Sequence, residues 1–545
     1  MNDRGIDVTR LLERQRLHLL DPWKIYPILL PPCRVQVLIV TDSGGSFGDA
    51  DFGLSALLDV LATPPGPWVR FDVTKAHRRV DPAADLQNFL FDGQDLSGYD
   101  QIWMIAVERS FSPGLTDPEL RAISQFMDAG GGVFATGDHE DLGVAMCGRV
   151  PRVRSMRKWH WPNPGPNGEP VAPRTDGPDR LDTLSEGHDP GIQFNDQSDD
   201  IPQRITPKLY PSWPWNKWFY RAYPHPLLCG PRGIIRVLPD HPHEGECYEP
   251  TDLTASFTFD GYTTAEYPGG LAPEVIAWSN IAGRTVDATK GHLNARSFGA
   301  IGAYDGHRVG VGRVVVDATW HHFFNVNLIG ELTNTDPIKG VGFDASTAGH
   351  AAYEEIKSYF RNIVVWLARP SSQQCMWWRA LWWVRWHHRL VMDLRPEYLK
   401  SAESLDLDEL LRIGGQARDA LGRLAAQCTV IRWLWWQVLQ PRRPKTWQRL
   451  APYFDPWLPQ PREDPPGPIE TLHAESTFDA MLGAAVYAVA QAFPEPTDDG
   501  RARAMEIDPD ELISAHVERS LNLAADRARQ GAERMTALGQ MFAER

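Results

Sequence analysis

The sequence predicts an α/β fold, with a doubly wound parallel sheet over residues 33–370 and a mainly helical region over 371–545. Three observations carry this. "RVQVLIVTD" (34–42) is a continuous β-branched, apolar run, the pattern of a strand covered on both faces. The segments after it alternate strand-like and helix-like patterns with short links. Beyond residue 371 the apolar spacing changes to three and four, the period of a helix face.

The elements follow in order. "SGGSFGDADFG" is a glycine-rich loop after the first strand, and "LSALLDVLA" is a helix. "PWVRFDVTK" (67–75) and "YDQIWMIAV" (99–107) are strands. "TDPELRAISQFMDAGG" starts a helix at the N-cap Thr116, with Glu119 three residues on and glycine at its end. "GGVFATG" is the next strand. From about 150 to 230 the texture turns to Pro, Trp, Asp and Gly, as in "WHWPNPGPNGEPVAP", which predicts an insertion of long ordered loops near the carboxyl ends of the strands. Strands resume at "GIIRVLPD" (233–240), "EVIAWSN" (274–280), "SFGAIGAYDG" (297–306) and "GRVVVDATW" (312–320). The helix "AAYEEIKSYFRNIVVWLARP" (351–370) closes the domain, and a proline-rich linker at 451–468 divides the helices beyond. Residues 1–32 form an N-terminal extension, charged and without the apolar centre of a signal peptide.

Composition narrows the function. At 545 residues the chain exceeds one ordinary core. A formal net charge of -15 argues against a nucleic-acid binder, which needs a basic surface. No stretch reaches the roughly 20 apolar residues of a membrane span. Six cysteines without a CxxC pair predict reduced thiols in a cytoplasmic protein. Many of the 21 tryptophans fall in "CMWWRALWWVRWHH" (375–388) and "VIRWLWWQVL" (430–439), both punctuated by arginine. Packed helices with arginine stems on indole faces are the expectation. A docking surface for a protein partner or a membrane is the alternative.

In open α/β sheets, ligands bind beyond the carboxyl ends of the strands. Those ends are rich in ionisable residues here: Asp42 with Asp49 and Asp51, Glu108, then Asp138, His139, Glu140 and Asp141 in "GVFATGDHEDLG", and His321 and His322 in "TWHHFFN". "DHPHEGE" adds Asp240, His241, His243, Glu244 and Glu246, and in an extended segment His241 and His243 point to one side, as two ligands of one ion must. We expect His139, His241, His243 and His321 as metal ligands, with zinc or manganese suited to a mixed nitrogen and oxygen set. Asp138, His139, Glu246 and His322 are the candidate catalytic residues, and Asp42, Gly44, Gly45 and Glu108 the candidate substrate contacts. Of the two adjacent histidines, one should face the sheet edge and the other should pack under the aromatics. Nothing in the sequence indicates a nucleotide cofactor.

The run from "VLIVTDSGG" through "LTDPELRAISQFMDAGGGVFATGDH" to "GVGRVVVDATWHH" resembles the class I glutamine amidotransferase-like superfamily, and within it the trehalose-utilisation (ThuA-like) proteins. The resemblance spans residues 33–370 apart from the insertion. It implies a flavodoxin-like sheet with a reactive strand-to-helix elbow. Glutamine amidotransferases carry G-x-C-x-G at that elbow, whereas "TGDHEDLG" has Asp138 and His139 there and Cys147 lies too far on. Without the thiolate, ammonia release from glutamine is not expected. ThuA-like proteins resemble the chain more closely, with glycine-histidine near the elbow and a histidine after the last strand, which maps to His139 and to His321 or His322. Two functions remain: a metal-assisted hydrolase for a small polar substrate, such as a sugar derivative or an amide, or a non-catalytic sensor or scaffold whose helical region binds a protein partner.

Overall fold

A computed structural model of the chain describes residues 31–543 except 67, 109–113, 139–141, 158–202, 212–221, 240–245, 282–283, 286–291, 294–295, 331–341, 386, 388–389, 391–393, 395–404, 423–426, 460–473 and 493–508. Strands β1 (Cys33–Thr41), β2 (Val69–His77), β3 (Gln101–Ile105), β4 (Gly132–Thr136), β5 (Gln203–Pro207), β6 (Val237–Leu238), β7 (Glu274–Ile281), β8 (Arg296–Tyr304) and β9 (Val314–Asp317) form one sheet. Its order is β6-β5-β7-β8-β9-β4-β3-β1-β2. The five strands β2-β1-β3-β4-β9 are parallel. The other four join antiparallel, each to its neighbour.

The sheet is therefore mixed, where the sequence predicted a parallel one throughout. The reason lies in the connections. Residues 305–313 join β8 to β9, fewer than the dozen or more that a parallel crossover needs, and the link from β7 to β8 carries an antiparallel pair of its own, Arg284–Thr285 with His292–Leu293. Both links are hairpins. The strand expected over 233–240 is broken into two short pairings, Gly233–Ile234 and Val237–Leu238.

Alternate residues of the parallel strands feed two cores. Val35, Val37, Ile39, Trp103, Ile105 and Phe134 face one; Leu38, Val40, Ile102, Met104, Val133 and Ala135 face the other. That is why β1 reads as an unbroken apolar run. Helix α1 (Ser55–Ala62) covers the first face and α2 (Asp117–Asp128) the second, while α3 (Val144–Cys147) is one turn after β4. Helix α4 (Thr347–Leu367) returns to the first face. The expected capping box of α2 is present: Thr116 Oγ1 accepts from the Glu119 N–H, and the Glu119 carboxylate accepts from the Thr116 N–H. The same carboxylate holds Arg78 in a buried ion pair.

The C-terminal region is helical: α5 (Pro370–Val384), α6 (Leu407–Gly422), α7 (Gln427–Trp433) running into a π-helical turn, α8 (Pro444–Phe454), α9 (Ala474–Ala492) and α10 (Pro509–Ala543). Its apolar side chains belong to the same core as the first sheet face. Trp377, Trp378 and Trp435 are fully buried and Trp382 nearly so, with Trp383 half-buried. The Arg432 guanidinium lies 5.6 Å from the Trp436 ring centre and 5.7 Å from that of Trp457, so arginine does lie on indole faces here. Helices α6 and α9 approach so closely that a Cβ on Gly414 would strike the Asp479 carbonyl, and one on Gly483 the Leu410 carbonyl. No helix among the described residues is long and apolar enough to cross a membrane.

One expectation is overturned. Cys33, at the start of β1, and Cys375, in α5, form a disulfide across 342 residues of sequence. Cys147, Cys229, Cys247 and Cys428 are buried thiols. Two cysteines so distant in sequence become neighbours only when α5 docks at the amino end of β1. Cysteine spacing therefore no longer argues for a reducing compartment.

Candidate functional site

The parallel strands end in one row: Thr41, Ile105, Thr136 and Asp317 are register partners in turn. Two residues further, β4 and β9 bring Asp138 and Thr319 together, and the Thr319 hydroxyl donates to Asp138 Oδ1 at 2.7 Å. The Trp320 N–H donates to the Gly137 carbonyl at 2.8 Å, extending the strand pairing past its end. Thr319 then caps the 3-10 turn Trp320–His322 by accepting from the His321 N–H. That turn throws His321 over Asp138.

His321 Nε2 lies 3.4 Å from Asp138 Oδ2, and its Nδ1 lies 2.9 Å from Asn327 Oδ1. Asn327 comes from the short helix Asn325–Leu328, which is itself fixed by Asn325: its amide donates to the Gly48 and Ala50 carbonyls and accepts from the Ala56 N–H. The glycine loop after β1 thus supports the residue that orients His321. Because the Asn327 oxygen is an acceptor, Nδ1 carries a proton. In the neutral ring Nε2 is then an acceptor too, facing a carboxylate oxygen. Two acceptors at this separation call for a proton or a cation between them.

The surroundings hold this pair in place. The guanidinium of Arg157, fully buried, donates to the carbonyls of Asp138 and Ala318, so it ties the two strand ends together. Burial pulls its pKa down, and the Asp138 carboxylate works against that. The Trp320 ring stacks on His321 with centres 4.1 Å apart, and Phe52, 44% exposed, meets Trp320 at 5.4 Å. An apolar rim therefore borders the acid-histidine pair.

His322 has a different place. Its Nδ1 is 2.7 Å from Asp317 Oδ1, and the Tyr359 hydroxyl donates to Asp317 Oδ2 at 2.8 Å, with no side-chain exposure at His322 or Asp317. This chain links β9 to α4 below the edge. The expected split between the two histidines is what the geometry contains, with His321 at the edge and His322, a candidate catalytic residue, in the interior.

The residues expected to contact substrate lie one and two strands away. Asp42, 3% exposed, accepts from the Val107, Glu108 and Gly44 N–H groups. Burial pushes its pKa up to about 6, with those backbone donors opposing the rise. It thereby occupies the backbone amides at the crevice between β1 and β3, where the strand order reverses and ligands of such sheets bind. Gly44 and Gly45 serve close packing: a Cβ at Gly44 would overlap Val107, and one at Gly45 would overlap Thr41. Glu108 is 3.5 Å from Arg79.

His139, Asp240, His241, His243 and Glu244 lie outside the described residues. Among the described residues no group of three or more His, Cys, Asp or Glu side chains is placed to hold a metal. The chain leaves the sheet at Leu238 and is next described at Glu246, 8% exposed, and Cys247, whose Sγ is 3.4 Å from the Val316 carbonyl near the end of β9. Cys147, in the turn after the elbow, points its Sγ at the Thr136 carbonyl from a fully buried position, and burial keeps its thiol protonated well above the usual range. Such a thiol is no nucleophile.

Thr319, Arg157 and Asn327 are site residues that the sequence reading missed. Thr319 had a signal, a threonine directly before a helical turn. Arg157 had none, since it stands in a loop of irregular texture. No family model, curated protein or solved structure matches the chain.

Proposed function

We propose that the edge formed by β4 and β9 is the site of a metal-assisted hydrolase acting on a small polar substrate, a sugar derivative or an amide. The observation that carries this reading is the 3.4 Å separation of His321 Nε2 and Asp138 Oδ2, with Nδ1 of the same ring on Asn327. That distance is long for a charge-assisted hydrogen bond, which falls near 2.7–2.9 Å. It fits two ligands bound at about 2.0–2.1 Å with a tetrahedral angle, which sit about 3.3 Å apart. A histidine that ligates through one nitrogen usually donates from the other to an outer partner, the part Asn327 takes here. His139, His241 and His243 are the candidates for the remaining positions.

A bound zinc or manganese ion would supply an acidified water and polarise the substrate carbonyl. The chain's own residues do the rest. Thr319 occupies Asp138 Oδ1 and leaves Oδ2 turned to His321. Phe52 and Trp320 offer an apolar face beside the pair, which excludes water and steers the substrate. We assign the general base to Glu246 rather than His322, because His322 is enclosed with Asp317 and Tyr359. With β5 to β8 set aside as additions, the parallel order β2-β1-β3-β4-β9 is compatible with the flavodoxin-like order 2-1-3-4-5, which favours a distant relation to the class I glutamine amidotransferase-like superfamily and its ThuA-like members. The buried Cys147 thiol speaks against glutamine amidotransfer in this chain.

The test is the metal content of the protein purified without chelator, for the wild type and for His321→Gln and Asp138→Asn. Near-stoichiometric zinc or manganese in the wild type, lost in both variants at unchanged circular dichroism, is the expected result. A metal-free wild type that binds neither ion in titration calorimetry ends the reading in favour of a non-catalytic scaffold.

A further inference from the structure

The last helix, α10, carries one apolar stripe with two different fates. Val517, Leu521, Ala524, Ala528, Gly531, Met535, Leu538 and Phe542 follow one another at alternating steps of four and three, the heptad spacing of a coiled-coil seam. In the first half the stripe is covered: Val517 is fully buried, Leu521 is 7% and Ala524 6% exposed, packed with α9 and α6. The cover ends at Ala524: Ala528 is exposed, and Gly531 is half-buried, with its Cβ position 3.0 Å from Leu407 Cδ2 at the start of α6. Further on the stripe stands in solvent, with Met535 69%, Leu538 43% and Phe542 83% exposed, and Met541 beside it 64% exposed. Around Gly539 there is open space.

We propose that this uncovered seam pairs with the same seam of a second copy of the chain, antiparallel. Three observations favour a second copy. The seam is the direct continuation of an interface the helix already makes. Covering the four exposed side chains on two copies would remove on the order of 1,000 Å² from water, the lower bound for a specific interface. The pattern is also self-complementary. In an antiparallel pair each a position faces a d position, so Met535 meets Leu538 of the second copy, and Phe542 meets Gly531. The largest side chain thus sits over the position with none, against the Leu407 side chain. Ala532 and Gly539 beside the seam let the two backbones come close. Each free segment, residues 532–543, is about 18 Å long at 1.5 Å per residue, enough for this short seam.

The experiment is sedimentation velocity on the full chain over a wide concentration range, for the wild type, Leu538→Lys and Phe542→Lys. The wild type is expected to be dimeric at high concentration. Both variants should be monomeric with unchanged thermal unfolding, because the substituted side chains are exposed in the single chain. A wild type that is monomeric at every concentration overturns the proposal, as does a dimer that survives Leu538→Lys. A monomer that binds anionic vesicles through this stripe also overturns it. For orientation, a mixture of Met535→Cys and Leu538→Cys chains should cross-link under mild oxidation more than either alone. Efficient cross-linking of Leu538→Cys by itself would mean a parallel pair and defeat the antiparallel arrangement.

Discussion

His321 and His322 are neighbours in sequence, each beside an aspartate, yet they belong to different parts of the molecule. His322 is sealed in a chain with Asp317 and Tyr359, both of whose partners lie in the core between sheet and α4. His321, itself 8% exposed, sits above the strand ends between Asp138 and Asn327, against the buried Trp320 ring and, beyond it, the exposed Phe52. The first contact is short, 2.7 Å, and the second is 3.4 Å. A closed, short pair in the interior holds elements together. A wider pair at the end of a sheet leaves room for something between its atoms. Proximity of an acid and a histidine is therefore not a sign of chemistry until distance and exposure are known.

The largest effect should come from breaking the interior pair. His322→Leu leaves Asp317 as a buried carboxylate with the Tyr359 hydroxyl and the Thr319 N–H but no cationic partner, and the expected loss is about 3–5 kcal/mol in urea unfolding. If His322→Leu is as stable as the wild type, the interior pair is not structural and the contrast between the two histidines fails.

The third acid of the edge, Asp42, sharpens the comparison through pH. Its folded-state pKa is raised from 3.8 to about 6, so the native form disfavours the charge. Its contribution to stability is fully present below pH 4 and is lost as pH rises through about 6, by up to roughly 3 kcal/mol at 1.36 kcal/mol per pH unit. The stability difference between wild type and Asp42→Asn should therefore shift against the wild type between pH 4 and pH 7. A difference that is flat across that range removes the buried-acid account.

Asn327→Leu tests the orientation of the edge histidine. Losing the acceptor on Nδ1 should weaken zinc or manganese binding about 10–100-fold, as outer partners of ligating histidines do. Calorimetry checks it, and unchanged affinity means that Asn327 does not set the ring. The smallest effect is expected for His321→Leu on stability. Asp138 is also buried but keeps the Thr319 hydroxyl, so removing the wider pair should shift unfolding by about 1–2 kcal/mol, while metal binding is lost. A loss as large as that for His322→Leu would put both histidines in the same structural class.

Much of the parallel half was legible in the chain. The unbroken apolar run of β1, the Thr116–Glu119 box and the strand "GGVFATG" are local patterns, set by periodicity and backbone hydrogen bonding over a few residues. So were the buried tryptophans of α5 and α7, whose arginine neighbours ruled out a membrane span before any packing was known. The antiparallel half was misread, because single strands look alike in either direction and only the links distinguish them, the short one at 305–313 and the strand-paired one at 282–295.

By itself the sequence determined most of the strands and helices, though not β5, which lies in the stretch read as loops, and it determined that β1 is covered on both faces and that acids and histidines follow the strand ends. Those properties follow from side-chain alternation and from the rule that parallel strands release their loops at one edge. Tertiary structure alone decided the rest. It turned His321 to the strand ends and His322 inward through the cap at Thr319, set His321 against Asp138, brought Arg157 to the carbonyls of Asp138 and Ala318, joined Cys33 to Cys375, and left half of the α10 stripe uncovered. Each of these depends on distances between residues remote along the chain, which only packing brings into contact.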